Sequence, residues 1–160
     1  MEFWLTILGG FFGLIGAFAG AWLAHLYEKR ILKEKEKRDT TVALYMEFHN
    51  QEMLNTRIIA RRVLTDNLER ERPLSLDEMY SDLEKEEWHA VSILITFFEK
   101  MGVLLRNDYL DDRLTRQLFE NDFKWWYEHY LKRIVKQDNK LKDPWSQNIE
   151  FANLWFQNNQ

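Results

Sequence analysis

The chain has no cysteine, two prolines and six glycines in 160 residues. Without cysteine it can form no disulfide and can bind no metal through thiolates. It also has no alternating β-branched run bounded by turn residues, which is the pattern of a β-strand. Helix-breaking residues are equally scarce, because Pro73, Pro144 and Gly102 are the only prolines and glycine beyond residue 27. These absences predict an all-α protein.

Basic residues are in excess only in one short segment. Residues 28–38 hold six basic and three acidic residues, a net charge of +3, whereas residues 39–160 hold 16 Lys and Arg against 22 Asp and Glu, a net charge of −6. An acidic domain without a basic stripe cannot neutralise DNA phosphates, so no DNA binding is expected. The chain shows no nucleophile–base pair, no glycine-rich phosphate loop and no metal-ligand spacing among its four histidines. We therefore expect no enzyme activity, no cofactor and no metal site.

One long apolar segment is present, at residues 3–27, and it contains no Asp, Glu, Lys or Arg. About 20 apolar residues suffice to cross a hydrocarbon core, so the segment predicts a single transmembrane helix within residues 1–27. A cleaved signal peptide is one alternative, since Ala17-Phe18-Ala19 resembles a cleavage site, but the start lacks the basic residues of such a signal. A buried soluble helix is the other alternative.

The basic residues that follow this segment predict its orientation. By the positive-inside rule, residues 28–160 lie in the cytoplasm and the N-terminus lies outside, as expected for a single-pass protein of the cell inner membrane in contact with membrane lipid. Gly9, Gly13, Gly16 and Gly20 fall on one helix face. Small residues at this spacing let membrane helices approach closely, so we expect these glycines to form the interface of a homo-oligomer. Frequent glycine in membrane helices is the simpler alternative.

The remaining residues predict a basic stalk at 28–39 and a cytoplasmic helical bundle at 40–160. Thr40 and Thr41 are expected to interrupt the stalk helix, and an apolar stripe then continues toward Pro73, which ends that helix by residue 72. The stripe consists of Val42, Tyr45, Phe48, Met53, Ile58, Ile59, Val63 and Leu64. Ser75 and Glu78 match a capping box that opens a short helix.

Three further helices are predicted. Residues 88–105 are as long as a membrane span but carry polar residues, which predicts a buried core helix with Gly102 as its C-terminal cap or in a turn. Asp111 or Asp112 caps the next helix, which runs to about residue 137. Asp143 and Pro144 open the last one. Because two adjacent tryptophans cannot both face the core, one member of Trp125-Trp126 could stack on a base or bury against a partner. Packing within the protein is the alternative, and it is the one we favour.

Arg57 and Arg61 are four residues apart on one helix face, and His49 lies two turns earlier. In a symmetric oligomer such arginines would be repeated around an axis and would attract anions. We therefore take Arg57, Arg61 and His49 as candidate ligand-binding residues. The alternative is a solvated face on which the arginines pair with Glu52, Asp66 or Glu69.

Residues 95–105 (ITFFEKMGVLL), Asp111-Asp-Arg-Leu, Phe119, Trp125-Trp126 and Trp155 form a recognisable pattern. It resembles an uncharacterised bacterial family of small helical proteins, most of which have one N-terminal membrane helix. The resemblance covers about residues 40–156 and implies the fold, but the family has no assigned reaction. The Glu-Lys-Met-Gly stretch departs from the more apolar residues that are common there.

In layout and length the chain is also similar to the small membrane effectors of type III CRISPR immunity. That family has a glycine-rich N-terminal anchor and a cytoplasmic helical domain, and is thought to form tetramers that bind cyclic oligoadenylate. The resemblance implies a tetrameric effector in antiviral defence that senses a cyclic nucleotide and opens or perturbs the membrane, with cyclic tetra-adenylate as first candidate. The alternatives are a membrane-anchored adaptor that tethers a protein partner without a ligand, and a membrane-bound hydrolase, which the missing catalytic residues disfavour.

Overall fold

The structure, a computed structural model, describes the backbone of residues 2–138 and 144–158 and the side chains of residues 20–136 and 144–158. Within these residues the regular structure is helical and contains no strand, which confirms the all-α prediction. The helices are α1 (Glu2–His49), α2 (Gln51–Glu69), α3 (Leu76–Asp82), α4 (Lys85–Arg106), α5 (Asp112–Trp126), α6 (Lys132–Asp138) and α7 (Pro144–Asn158). A π-helical segment (Tyr127–Leu131) lies between α5 and α6.

The chain divides into two compact units, residues 1–36 and residues 37–160. In the first unit, every side chain that the structure describes, from residue 20 to residue 36, is exposed. The large apolar ones among them are Trp22, Leu23, Leu26, Tyr27, Ile31 and Leu32. Gly9, Gly13, Gly16 and most of the predicted membrane span lie outside the residues whose side chains are described. Gly20 is described, and a Cβ atom placed on it would meet nothing within 4 Å.

One helix among the described residues is long and apolar enough to cross a membrane, and it is the internal helix α4. It has 22 residues, and its most apolar window has a mean hydropathy of 1.4, but half of that window is buried inside the protein. Its buried side is Ala90, Val91, Leu94, Ile95, Phe97, Phe98, Met101, Gly102 and Leu105. A central helix of a protein core meets the same length and composition criteria, and the burial agrees with the core helix predicted at residues 88–105.

The predicted interruption at Thr40 and Thr41 is wrong, because α1 continues to His49. The Thr41 side chain is fully buried, and its hydroxyl donates to the carbonyl of Lys37 at 2.8 Å. The same oxygen accepts the backbone N–H of Asp111 at 2.9 Å. Both hydrogen-bonding roles of the hydroxyl are therefore satisfied inside a helix, and Thr41 ties α1 to the start of α5.

The single helix predicted from residue 42 to residue 72 is also wrong. The chain leaves the helix at Asn50, whose extended backbone and side-chain oxygen cap α2 by accepting the N–H of Met53 at 2.7 Å. The buried residues also differ from the predicted apolar stripe. Val42 and Ile58 belong to that stripe but are exposed, whereas Leu44 does not belong to it and is buried. Helix α2 ends at residue 69, before Pro73, as predicted.

The junction after α2 is held by one buried amide. The Asn67 side chain donates to the carbonyl of Leu74 at 3.1 Å and accepts its N–H at 2.9 Å. The predicted capping box follows directly. Ser75 accepts the N–H of Glu78, and the Glu78 carboxylate accepts the N–H of Ser75 at 2.8 Å. Helix α3 therefore begins where the sequence predicts it.

Gly102 neither caps a helix nor lies in a turn, contrary to the prediction. It lies within α4, and a Cβ atom placed on it would be 2.0 Å from the backbone oxygen of Asn148 on α7. The glycine is required because the backbone of α7 crosses α4 at this point. Helix α4 ends four residues later, and Asp108 in the turn beyond it has a positive φ of 59°.

The predicted cap of the following helix is confirmed, since the Asp111 carboxylate accepts the N–H of Leu114 at 2.8 Å. The helix is not regular to residue 137, because the π-helical segment interrupts it after Trp126. Pro144 is the first residue of α7, as predicted, whereas Asp143 lies outside the described residues. Helix α7 packs on α4 through Ser146, Asn148, Ile149, Ala152 and Phe156, which are all buried.

Candidate functional site

The predicted site residues Arg57 and Arg61 lie on α2, seven and eleven positions after the Asn50 cap. Met53, Thr56, Ala60, Val63, Leu64 and Asn67 form the buried side of this helix. Arg57 is half-buried at the edge of that side, and Arg61 is exposed. The helix therefore presents the two guanidinium groups at the boundary between core and solvent, one turn apart.

The Arg57 guanidinium rests on the ring of Phe48, with its central carbon 4.1 Å from the ring centroid. Its Nε atom is buried and has no hydrogen-bond partner among the described residues. Burial lowers the pKa of Arg57 from its ordinary value, and the negative charge of Asp122 partly offsets this. Arginine remains protonated in proteins despite such a shift, so Arg57 is a partly desolvated cation with a free donor.

His49, the last residue of α1, lies beside Phe48, with 5.2 Å between the two ring centroids. Its Nδ1 atom is 3.1 Å from the carbonyl oxygen of Tyr45, and the two rings have centroids 4.1 Å apart. Its Nε2 atom is 3.9 Å from Oδ2 of Asp122, a residue of α5. The structure thus places the carboxylate of Asp122 near His49, and the negative charge of this carboxylate also acts on Arg57.

The acidic partners expected for the arginines are not the ones found. In the described part of the chain, neither Arg57 nor Arg61 forms an ion pair with Glu52, Asp66 or Glu69. The adjacent Arg62 does form one, to Glu87 at 3.0 Å. The arginines of α2 therefore differ in environment: Arg62 pairs with an acid of α4, whereas Arg57 and Arg61 rest on aromatic rings.

The Arg61 guanidinium lies against Trp125 of α5, with 5.1 Å between its central carbon and the ring centroid. The His129 ring stacks on the same tryptophan at 4.8 Å and 26°, and its Nδ1 atom is 2.7 Å from the carbonyl oxygen of Trp125. Trp126 is buried, whereas Trp125 is partly buried and packs against the same hydrophobic core, so the contact of Trp125 with a base or a partner stays a prediction. His129 belongs to the π-helical segment, and such segments are frequent at functional sites.

We call the surface formed by His49, Arg57, Arg61, Asp122, Trp125 and His129 the α2–α5 surface. The sequence pattern predicts its first three members as ligand-binding residues and singles out the Trp125-Trp126 pair, but it gives no signal for Asp122 or His129. Asp122, Trp125 and His129 recur at helical spacing, but which element their side of α5 faces depends on tertiary packing. This surface has two permanent cations, one carboxylate and three exposed or half-exposed rings, so it offers donors to an anion and π-faces to a planar group.

No group of three or more His, Asp or Glu residues that could hold a metal occurs among the described residues. Comparisons with protein-family models, curated proteins and solved structures return no match to this chain. The two resemblances drawn from the sequence therefore stay predictions, and the features that bear on function are the contacts of the α2–α5 surface.

Proposed function

We propose that the protein is an oligomeric membrane effector. An N-terminal transmembrane helix anchors a cytoplasmic helical bundle, which senses a nucleotide second messenger and perturbs or opens the membrane in antiviral defence. The first candidate ligand is cyclic tetra-adenylate. The observation that carries the proposal is the α2–α5 surface, where Arg57 and Arg61 each rest on an aromatic ring beside an exposed histidine.

A nucleotide needs two kinds of contact, and this surface offers both. Guanidinium groups bind phosphate through short charge-assisted hydrogen bonds. Aromatic side chains stack on bases whatever their sequence. A guanidinium that already rests on a ring has fewer conformations to lose on binding, which favours affinity. Neither cation forms an ion pair within the described residues, although the domain has a net charge of −6.

The exposed apolar side chains of residues 20–36 support the membrane anchor. Trp22, Leu23 and Tyr27 are each about two-thirds exposed, at 66%, 65% and 68%. Apolar area in water costs about 25 cal/mol per Å², and lipid or neighbouring helices would remove this cost. The open space around Gly20 would admit a second helix at close range. Lipid contact and a homo-oligomer, with a tetramer favoured, are therefore part of the proposal.

Calorimetry on the full-length protein in detergent tests the ligand. Cyclic tetra-adenylate is titrated beside other cyclic oligoadenylates and cyclic dinucleotides, using the original sequence and the variants Arg57→Ala, Arg61→Ala and Arg62→Ala. A charge-assisted hydrogen bond is worth about 1.5–3 kcal/mol, so Arg57→Ala and Arg61→Ala should each weaken binding by about 10- to 100-fold. Arg62→Ala removes the same charge from a residue paired with Glu87, and its effect should be small.

An equal effect of all three substitutions would mean that overall charge, and not the α2–α5 surface, attracts the ligand. No heat and no thermal shift with any nucleotide would favour the adaptor function instead. A separate observation supports that alternative: Leu54 and Ile58 lie four residues apart on α2 and are exposed, as is Met46 on α1. Such residues form the kind of apolar patch that binds a protein partner.

Native mass spectrometry in detergent tests the oligomer. Replacing Gly13 and Gly16 with leucine adds bulk to the predicted interface and should reduce the subunit number. An unchanged oligomer would exclude the glycine face as the site of assembly.

A C-terminal fusion to a phosphatase that is active only outside the cytoplasm tests the topology. The fusion should be inactive if the C-terminal domain is cytoplasmic. Strong activity would overturn the proposed orientation.

A further inference from the structure

We propose that Arg38 of α1 and Arg113 of α5 form a binding site for a phosphate group, separate from the α2–α5 surface. Both side chains line one surface cleft of about 250 Å³, together with Asp111, Leu114 and Gln117. We call it the α1–α5 cleft. The phosphate belongs either to a lipid headgroup or to a small soluble ester, because both present the same oxygens to the arginines. The proposal does not depend on the nucleotide site.

The two arginines of the cleft lack a partner. Arg38 and Arg113 are exposed, and among the side chains that the structure describes neither guanidinium group forms an ion pair or a hydrogen bond. The preceding Lys37 differs, because its Nζ atom is 2.5 Å from Oδ1 of Asp108 and its side chain is only 15% exposed. Like charges that line the same cleft repel each other. An anion bound between the two arginines would replace this repulsion with attraction.

The acidic residues nearby do not neutralise the arginines. Asp111 lines the cleft, but its carboxylate accepts the N–H of Leu114 at 2.8 Å and so caps α5, where negative charge is favoured. Within the described residues it forms no ion pair with either arginine. Asp39 and Asp112 neighbour the arginines in the sequence, but they are exposed and do not line the cleft. The lining side chains therefore carry two positive charges against one negative charge.

Two contacts fix the helices that carry the arginines. Thr41 follows Arg38 by three residues, and its hydroxyl accepts the backbone N–H of Asp111 at 2.9 Å. The ion pair between Lys37 and Asp108 joins the same part of α1 to the turn that precedes α5. A cleft with fixed walls needs little rearrangement to bind a ligand, which favours affinity.

The lining side chains suit a phosphate ester. A guanidinium group binds two oxygens of a phosphate at once through parallel hydrogen bonds. A terminal phosphate has three such oxygens, so it can contact both arginines, whereas a carboxylate has only two. The amide of Gln117 offers a further N–H donor, and Leu114 offers an apolar wall to the carbon atoms of the ester.

The position of Arg38 in the sequence favours a lipid as the source of the phosphate. Ten residues separate it from residue 27, the last residue of the apolar segment. Basic residues that closely follow a membrane span on its cytoplasmic side are attracted to anionic lipids. The choice of a lipid therefore rests on the proposed anchor, whereas the phosphate chemistry of the cleft does not.

Calorimetry on the full-length protein in an uncharged detergent tests the site. The probes are glycerol 3-phosphate and dioctanoyl phosphatidic acid, which share a terminal phosphate, and dioctanoyl phosphatidylcholine is the control lipid that lacks one. Arg38→Gln and Arg113→Gln should each weaken binding of both probes by about 10- to 100-fold, as expected when charge-assisted hydrogen bonds are lost. Arg70→Gln should have little effect, because it removes the same charge from a residue that pairs with Asp82 at 2.9 Å.

The two probes also distinguish the sources of phosphate. Tighter binding of phosphatidic acid identifies a lipid, tighter binding of glycerol 3-phosphate identifies a soluble ester, and either result supports the site if both glutamine variants weaken it. Because Arg38 and Arg113 are exposed and unpaired among the described residues, their substitution should not lower the melting temperature of the protein without ligand. If a glutamine variant does unfold, Arg38→Lys and Arg113→Lys replace it. Lysine keeps the charge without the fork of N–H donors, so binding should still weaken.

Four results would overturn the proposal. The first two are no binding of either phosphate probe and equally tight binding of phosphatidylcholine. The third is unchanged binding by Arg38→Gln or Arg113→Gln. The fourth is an equal loss with Arg70→Gln, which would show that overall charge attracts the probes. None of these results bears on the nucleotide site, and failure of the nucleotide titration leaves the α1–α5 cleft standing.

Discussion

Gly102→Ala is the substitution whose effect follows most directly from the structure. The added Cβ would lie 2.0 Å from the backbone oxygen of Asn148 and 2.5 Å from its carbonyl carbon, where ordinary contacts begin near 3.4 Å. Helix α7 would therefore have to move by about 1.4 Å or more. The same helix buries Ile149, Ala152 and Phe156 in the core, so the movement would disturb them as well.

Two effects oppose each other in this variant. Alanine is favoured over glycine inside a helix by about 1 kcal/mol. Overpacking a core costs about 1–3 kcal/mol, and occasionally more. Because the atoms that Gly102 approaches are backbone and cannot rotate away, the upper part of that range applies. We expect a net loss of about 2 kcal/mol, which lowers the melting temperature of a domain this size by about 6–8 °C.

Urea and thermal unfolding followed by circular dichroism measure this loss. Adding Asn148→Gly to Gly102→Ala should not restore stability, since the clash is with backbone atoms that glycine also has. A Gly102→Ala protein as stable as the original would show that α4 and α7 do not approach this closely.

Three further outcomes are expected. Thr41 and Thr115 are both fully buried, but among the residues that the structure describes only the Thr41 hydroxyl has hydrogen-bond partners. In urea unfolding, Thr41→Val should therefore lose about 1–3 kcal/mol, and a neutral result would contradict the link to α5. Thr115→Val should be neutral or stabilising, and a loss like that of Thr41→Val would show that its hydroxyl has a partner. Hydrogen bonds from Ser75 lower the pKa of Glu78, so this carboxylate stabilises the fold above its ordinary pKa and loses that contribution as the pH falls through its lowered value. Ser75→Ala should raise the Glu78 pKa in an NMR titration, and an unchanged pKa would exclude the serine hydroxyl as a cause.

Local signals in the sequence predicted local structure well. The Ser75 cap, the Asp111 cap and the proline that begins α7 each depend on residues within four positions of one another. Asn50 was missed because apolar residues continue on both sides of it at helical spacing, and asparagine also occurs inside helices. The break becomes evident only when Phe48 and Met53 are seen to contact the core from two different helices.

Gly102 was misinterpreted for a related reason. A glycine after a long apolar helix is typical of a C-terminal cap, but this one permits a contact with Asn148, 46 positions later. Such a contact depends on how two helices cross, and a single sequence contains no local signal for that crossing. The same limit applies to Asp122, which approaches His49, a residue of another helix 73 positions earlier.

The tertiary contacts that the sequence could not predict are also the ones that distinguish the arginines of the α2–α5 surface from the neighbouring arginine of the same helix. Taken alone, Arg57 and Arg61 are two basic residues one helical turn apart, a common arrangement on solvated helices. Tertiary contacts distinguish them from Arg62: Phe48 and Trp125 cover their guanidinium groups, whereas Arg62 pairs with Glu87. A partly desolvated cation with an unfilled donor gains more from a phosphate than a solvated, paired one does. Packing that the sequence does not reveal therefore separates Arg57 and Arg61 from their neighbour Arg62, and the proposed ligand binding depends on that difference.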